Sequence, residues 1–182
     1  MWDLAGSWSA CSRVHSLTLA LLVVLNTTAA RADWSDDFPG ARSIGAGQFK
    51  WFGFAVYEAR LWSQGMRPTL DHPFALEVTF HRELERETLV EMSEDEMRRL
   101  GGEQLDPGRL AGWTVEMREA FVDVTPGQRI AGLYLPGRGC RFYVNGRFRH
   151  EVKDPEFARA FFAIWLDPRT RTPKLRHQLL GQ

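Results

Sequence analysis

Alternation of apolar and polar residues predicts the strands of this chain. Residues 74–81 (FALEVTFH) carry a large apolar side chain at every second position, which is typical of a strand with one buried face. Residues 43–62, which contain the aromatic-rich stretch KWFGFAVYEARLW, predict either two strands or one long bent strand. Gly45 and Gly47 allow a β-bulge early in that segment.

Further strands are predicted over residues 128–137 and 140–152. In the second of these segments, Asn145 and Gly146 lie between alternating residues. An Asn-Gly pair favours the left-handed backbone of a type I′ turn, so we expect a tight hairpin there.

Apolar residues at helical spacing predict four helices. In the first of them, Ser93 and Glu96 match a capping box, which indicates that the helix restarts or kinks at that point. Asp-Pro pairs open the second and third helices, because Asp caps a helix N-terminus and Pro suits the first turn. The helices are predicted to begin near residues 83, 106, 154 and 172.

The order β-β-β-α-α-β-β-β-α-α predicts an α+β domain, with an antiparallel sheet covered by helices on one face. The domain is expected to span residues 44–182. Residues 33–43 are mostly polar and contain Pro39 and Gly40, so they are predicted to form a flexible leader.

Residues 1–32 have the composition of a secretory signal peptide. Arg13 and His15 precede the apolar run at 17–25, and Ala30-Arg31-Ala32 offers a cleavage site. The run is shorter than the roughly 20 residues that cross a bilayer. We expect cleavage after Ala32 and a periplasmic or secreted protein with no integral membrane span. A retained N-terminal anchor is the alternative.

The charge is balanced, with 23 basic and 23 acidic residues, and removal of residues 1–32 leaves one excess negative charge. This balance does not indicate a nucleic acid or an anionic membrane surface as a partner. Of the two cysteines, Cys11 lies in the predicted signal peptide, so Cys140 would be alone. An apolar core, not a disulfide, is expected to stabilise the fold.

Four motifs occur in order along residues 44–181: GAGQFKWFGFAVYEARLW, PFALEVTFHREL, RIAGLYLPGRGCRFYVNGR and DPEFARAFFAIWLDPRTRTPKLRHQLLG. Together they resemble the chalcone isomerase-like family, in particular its exported bacterial branch. The resemblance implies an open-faced β-sandwich, in which a curved antiparallel sheet is covered by helices and a ligand cleft lies between them. Some plant members close the ring of a chalcone, whereas other members bind fatty acids without chemistry.

The resemblance does not extend to the catalytic residues of the plant enzymes. It maps their early Arg and Thr onto Phe49 and Phe52, and their late Thr near Ala163 or Ile164. Residues 82–105, where those enzymes place a Tyr and an Asn, contain neither. Ring closure needs groups that stabilise a developing enolate, and losing one such donor costs about 100- to 1,000-fold in rate. Chalcone cyclisation is therefore not expected here.

Other chemical sites are not indicated by the sequence. The histidines of residues 33–182 form no i, i+4 pair, and no G-x-S-x-G motif occurs. The basic run at 169–177 is interpreted as a solvated, salt-bridging surface. We expect neither a metal nor a cofactor.

Three functions remain open. The first is a non-catalytic exported module that binds an apolar or fatty-acyl ligand between sheet and helices. Its predicted ligand contacts are Phe49, Phe52 and Phe54 on the sheet and Trp113, Met117, Phe161 and Ile164 on the helices.

The second function is an isomerase of the intramolecular lyase type, acting on a chalcone- or enone-like substrate. It needs an Arg or a Tyr in the cleft, and the candidates are Arg42, Arg60, Tyr57 and Tyr143. The third is a structural or interaction protein whose cleft is filled by its own side chains.

Overall fold

A six-stranded antiparallel sheet, with its strands in chain order, is the centre of the fold. The structure is a computed structural model that describes residues 33–65 and 69–182. The strands are β1 (Arg42–Trp51), β2 (Phe54–Ser63), β3 (Phe74–Phe80), β4 (Arg129–Leu135), β5 (Gly139–Val144) and β6 (Arg147–Val152). The helices are α1 (Trp34–Asp37), α2 (Arg86–Gly101), α3 (Pro107–Ala120), α4 (Pro155–Leu166) and α5 (Pro173–Leu179), with a 3₁₀ turn at Gly102–Gln104.

The four longer helices, α2 to α5, pack on one face of the sheet, here called the inner face. The alternation predicted for β3 is confirmed, because Phe74, Leu76, Val78 and Phe80 all lie in the core between the sheet and these helices. The predicted α+β architecture is confirmed as well. Ala75, on the opposite face of β3, is also fully buried, so that face is covered too.

Helix α1 covers part of the outer face, where the sequence predicted a flexible leader. Asp33 caps this helix through a capping box, and Trp34 and Phe38 are each 6% exposed. Both side chains form one buried cluster with Ala75 and Ala131, whose small size leaves room for large rings on the sheet. The prediction was wrong because it weighed the polar residues of the segment and ignored its two aromatic ones.

Side-chain hydrogen bonds hold the same segment in place. Trp34 donates its indole N–H to the Glu77 carboxylate at 3.4 Å, and the Tyr143 hydroxyl donates to Asp37. Arg141 also binds Asp37, at 3.1 Å. The outer face therefore carries its own small core.

Two turns show how the backbone sets the hairpins. Asn145 and Gly146 have φ angles of 50° and 75°, which confirms the type I′ turn expected between β5 and β6. Residues 43–62 form two strands, because Phe52 and Gly53 adopt a similar left-handed turn with φ angles of 47° and 82°.

Helix α2 neither restarts nor kinks at the predicted capping box. Ser93 donates its hydroxyl to the carbonyl of Leu89 at 2.8 Å, one turn back within a continuous helix. Glu96 is 6% exposed and binds Arg99 rather than a helix N-terminus. Both side chains therefore have partners that compete with a cap.

Phenylalanine rings fill the space between helix α4 and strands β4 and β5. Phe161 packs edge-on against Phe142 and Phe162, with ring centroids 5.2 and 5.3 Å apart. Phe157 stacks on Phe161 at 5.7 Å, and Phe121 lies 5.9 Å from the same ring. This part of the sheet–helix interface is packed core.

Residues 1–32, which carry the predicted signal peptide, lie outside the described residues. Within the described ranges, no helix combines the length and the apolar character needed to cross a membrane.

Candidate functional site

A groove of about 830 Å³ follows the edge strand β1 where helix α5 approaches it. We call it the edge groove. It is lined by Ala46, Gly47, Gln48, Phe49, Lys50 and Trp51 of β1, by Glu58 and Arg60 of β2, and by Arg171, Thr172, Pro173, Lys174, Leu175 and Gln178 in and before α5.

Two glycines of β1 allow helix α5 to lie directly on the strand. A Cβ atom at Gly45 would lie 2.0 Å from the backbone oxygen of Gln178, and one at Gly47 would lie 2.8 Å from a methyl carbon of Leu175. The sequence predicted a bulge near these glycines, and the register does shift between Ser43 and Gly45. Because these glycines have no side chain, α5 can also lie close against β1, and this contact forms one wall of the groove.

The turn before α5 is held by a buried carboxylate on α2. Glu96 accepts a hydrogen bond from Arg99 at 2.9 Å and lies 3.4 Å from both the backbone N–H and the guanidinium of Arg171. The guanidinium of Arg99, with help from Arg171, lowers the pKa of Glu96. An ionised Glu96 therefore positions Arg171 at the groove.

The groove has an excess of cationic side chains. Arg60 pairs with Glu58 at 3.0 Å, which leaves that part of the lining nearly neutral. Lys50 and Lys174 are exposed and form no salt bridge with any of the described residues. These two lysines and Arg171 make the groove favourable for an anionic group.

An aromatic cluster lies at the inner side of the groove. Phe49 stacks on Tyr57 with centroids 5.1 Å apart, and Trp165 donates its indole N–H to the Tyr57 hydroxyl at 3.1 Å. Burial raises the pKa of Tyr57 to about 12, although the Trp165 hydrogen bond acts in the opposite direction. Tyr57 is therefore a neutral hydrogen-bonding group near neutral pH.

We expect none of the three tyrosines to ionise at the ordinary pKa of 10.0 in the folded protein. Burial raises the pKa of Tyr134 and Tyr143 as well as that of Tyr57. The unfolded chain then loses these protons first, so the contribution of the tyrosines to stability is constant below about pH 10 and falls above it. Tyrosinate absorbance measured against pH, with and without denaturant, tests this. A native tyrosine that titrates at its ordinary pKa would contradict it.

The seven predicted ligand contacts do not form one cleft, and this corrects the prediction. Trp113, Met117 and Phe161 are at most 5% exposed and belong to the core. Ile164 is partly buried and packs on the same core. These side chains were selected by helical spacing. Such spacing identifies the buried face of a helix, but it does not show whether that face contacts a ligand or other core side chains.

The predicted sheet contacts are also separated from one another. Phe49 lines the edge groove and is partly buried. Phe52 and Phe54 are 84% and 62% exposed at the turn between β1 and β2. Phe52 therefore projects into solvent at the position to which the resemblance maps a catalytic Thr.

The four candidates for an enzymatic role lie in different environments. Tyr57 is on the inner face, whereas Tyr143 is on the outer face beneath α1. Arg60 binds Glu58 and Ser43, and Arg42 is exposed at the start of β1. The structure does not bring them together around one substrate position.

The chemistry of the remaining reactive groups is limited. Cys140 is 1% exposed, and burial raises the pKa of its thiol well above the ordinary value. The thiol therefore stays protonated near neutral pH and is unreactive. Among the described residues, no three His, Cys, Asp or Glu side chains converge on a metal position.

Sequence reasoning missed the part of the groove that α5 supplies. The basic run at 169–177 was noticed but interpreted as solvated surface. Arg169 fits that interpretation, because it is exposed and pairs with Asp167 at 2.9 Å. The signal for Arg171 and Lys174 was their position on either side of Thr172-Pro173, which starts a helix that packs on the sheet.

Comparison with known proteins agrees with this architecture. A crystal structure of a fatty-acid binding protein from Arabidopsis thaliana superimposes with a TM-score of 0.60, covering 79% of this chain and 88% of that one. The two sequences are 13% identical, so the match shows a shared fold. An uncharacterized protein of Haemophilus influenzae is 28% identical over 171 residues, which is 93% of this chain and 79% of the relative.

The sequence profile of the chalcone isomerase-like family matches residues 44–181. This range includes all six strands except the first two residues of β1, and all of the helices from α2 to α5. The resemblance of the four motifs is thereby confirmed. The chain belongs to the chalcone isomerase-like family.

Proposed function

We propose that this protein binds a long-chain fatty acid, or a similar apolar acid, in the edge groove without transforming it. The observation that carries this proposal is the composition of the groove, in which apolar side chains adjoin two exposed lysines, Lys50 and Lys174. A fatty acid has the same two parts, an apolar chain and a carboxylate.

The apolar part of the groove suits an alkyl chain. Phe49, Trp51, Pro173 and Leu175 contribute apolar surface, and Gly47 adds backbone without a side chain. The volume of about 830 Å³ lies within the range of roughly 300–1,000 Å³ that is usual for small-molecule sites. An alkyl chain buried there gains about 0.8 kcal/mol for each methylene group removed from water.

The charged part suits a carboxylate. Lys174 lies in the first turn of α5, and Arg171 lies just before that helix. A carboxylate that pairs with either side chain forms a charge-assisted hydrogen bond, which contributes about 1.5–3 kcal/mol. Arg171 is held by Glu96, so Lys174 is the more available partner.

The family comparison supports binding without chemistry. A protein of the same fold from Arabidopsis thaliana is a fatty-acid binding protein. In this chain, Phe49 and Phe52 stand at the positions where the resemblance places the Arg and Thr of the plant enzymes. Phenylalanine offers no charge or hydrogen bond to a developing enolate.

Titration of oleate into the chain from Asp33 to Gln182, which contains the whole described fold, tests the proposal. We expect saturable binding that Lys174→Glu weakens by at least about tenfold, because it replaces attraction by repulsion. Lys153→Glu is the matched control. Lys153 is 82% exposed, lies next to Glu151, and directly follows β6, the edge strand opposite β1. Oleyl alcohol, which lacks the carboxylate, should bind both variants equally.

Two results would reject this assignment. One is the absence of oleate binding, together with no lipid in native mass spectra of the purified protein. The other is an equal loss of affinity in Lys174→Glu and Lys153→Glu. The first result would favour an interaction protein, a function consistent with the phenylalanine-filled core under α4.

We also propose that the protein is exported, with cleavage after Ala32. The support is the sequence pattern of residues 1–32. N-terminal sequencing of the protein from a periplasmic fraction should find Asp33 as the first residue. A protein found only in the cytosol with Met1 intact would exclude export.

A further inference from the structure

The turn between β1 and β2 presents three aromatic rings to solvent. Trp51 and Phe54 are each 62% exposed and Phe52 is 84% exposed, and we call these residues the aromatic tip. Trp51 and Phe52 contact each other edge-on with centroids 5.1 Å apart. The other exposed large apolar side chains, Met92, Val115 and Phe148, come from separate elements, so the tip is the densest such group among the described residues.

Neither the backbone nor the core accounts for Phe52. Its φ angle of 47° lies in the left-handed region, which a bulky residue adopts only with strain. The turn between β5 and β6 has nearly the same backbone, with Asn145 at φ 50°, and there the favoured residue is present. Phe52 thus occupies a turn position that suits Asn, and it gains almost no burial in return.

Cationic side chains surround the aromatic tip. The Arg82 guanidinium lies 4.9 Å from the centre of the Phe54 ring, and Lys50 directly precedes Trp51. Arg171 and Lys174 extend the positive surface along the adjoining edge groove.

The acidic groups near the tip do not cancel this charge. Glu58 lines the same groove but is paired with Arg60. Glu83 is exposed and follows Arg82 in the chain. Arg171 is already paired with Glu96. Among the described residues, the three cations Lys50, Arg82 and Lys174 therefore remain without a salt bridge, against one such carboxylate, Glu83.

We propose that the aromatic tip docks on an anionic lipid bilayer and places its rings at the boundary between headgroups and acyl chains. Trp and Phe side chains favour that interface, and basic residues beside them are attracted to anionic headgroups. The balanced charge of the whole chain conceals this local surface. Docking does not depend on the ligand of the groove. If the groove holds an acyl chain, the shared residue Trp51 places the groove next to the bilayer.

Vesicle co-sedimentation tests docking with the chain from Asp33 to Gln182, which omits the apolar run at 17–25. One set of vesicles contains equal parts of phosphatidylcholine and phosphatidylglycerol, and the other contains phosphatidylcholine alone. We expect binding to the anionic vesicles that decreases as salt is added. Lys50→Glu and Arg82→Glu should each weaken it by at least about five-fold, whereas Lys153→Glu should have little effect.

Phe52→Asn separates docking from folding. Asn tolerates the left-handed backbone, so this variant should have a higher thermal midpoint than the unmodified protein. It should bind anionic vesicles about tenfold more weakly, because the most exposed ring of the tip is lost. Phe148→Asn, the same change at a ring 51% exposed on β6, should leave vesicle binding unchanged.

Three outcomes would overturn the proposal. The first is equal binding to both kinds of vesicle. The second is a Phe52→Asn variant that binds as tightly as the unmodified protein. The third is self-association that Phe52→Asn abolishes in the absence of vesicle binding, which would make the tip a contact between copies of the chain. Loss of oleate binding with vesicle binding retained would reject only the proposed ligand.

Discussion

Replacing Phe162 with alanine should lower the free energy of unfolding by about 4 kcal/mol, because Phe→Ala changes in cores cost about 3–5 kcal/mol. The Phe162 side chain is fully buried. Its ring packs edge-on against Phe74 and Tyr134, with centroids 5.1 and 5.5 Å away. Alanine would remove these contacts and leave a cavity that the surrounding rings cannot fill without moving the sheet.

The site of Phe162 has little capacity to collapse. A Cβ atom added to Gly132 would lie 2.8 Å from the tip of the Phe162 ring, so strand β4 already approaches the ring as closely as it can. Urea unfolding followed by circular dichroism measures the change. The control is Phe148→Ala, for which we expect a loss below about 1 kcal/mol because that ring is 51% exposed. Similar losses in both variants would show that the core under α4 is loosely packed.

Replacing Gly45 with alanine should destabilise the protein by about 3 kcal/mol, at the upper end of the range for an overpacked contact. The added Cβ would lie 2.0 Å from the backbone oxygen of Gln178 and 2.7 Å from that of Leu179. Both obstacles are backbone atoms, so no side-chain rotation relieves the clash. Helix α5 has to move away from β1, and the edge groove has to change shape with it.

A matched Gly→Ala change separates the steric clash from the effect that alanine itself has on the free energy of unfolding. Gly112 lies within α3 with no atom near the position of an added Cβ. Gly112→Ala should therefore stabilise the protein by about 0.5–1 kcal/mol through helix propensity. Hydrogen exchange in α5 should accelerate only in Gly45→Ala. Unchanged exchange there would mean that the helix does not depend on its contact with β1.

The fold could be predicted because its local signals are strong and agree with one another. The alternation in β3, the Asn-Gly turn and the Asp-Pro helix starts each specify an element by short-range physics. Helix α1 was missed because its burial depends on Ala75 and Ala131, which are distant in sequence. An alanine in a strand is not a sequence signal that a tryptophan from another segment packs above it.

The candidate site was harder to predict than the fold. Periodicity correctly places Phe161 and Met117 on inward faces, but only the three-dimensional packing shows that other rings fill the space around them. The edge groove arises where β1 meets α5, and its lining comes from both ends of the domain. No short-range pattern connects Lys50 with Lys174.

At Phe52, by contrast, a short-range rule fails: the residue preference of a two-residue hairpin turn does not predict a phenylalanine there. The hairpin forms with Phe where Asn or Gly would be favoured. Natural chains often break such rules at functional sites. We therefore expect substitutions in the aromatic tip, and not in the buried rings, to change binding to vesicles.

The contact between β1 and α5 has a consequence for biosynthesis. Gly45 and Leu179 touch across nearly the whole domain, so the first strand cannot acquire its final neighbour until the ribosome has produced the last helix. Contacts of such high sequence separation form slowly. Strands β1 and β2 can pair as soon as both have emerged, but the face of β1 that packs on α5 stays uncovered until the end of translation. A holding chaperone that shields residues 42–63 during that interval should raise the yield of the native protein.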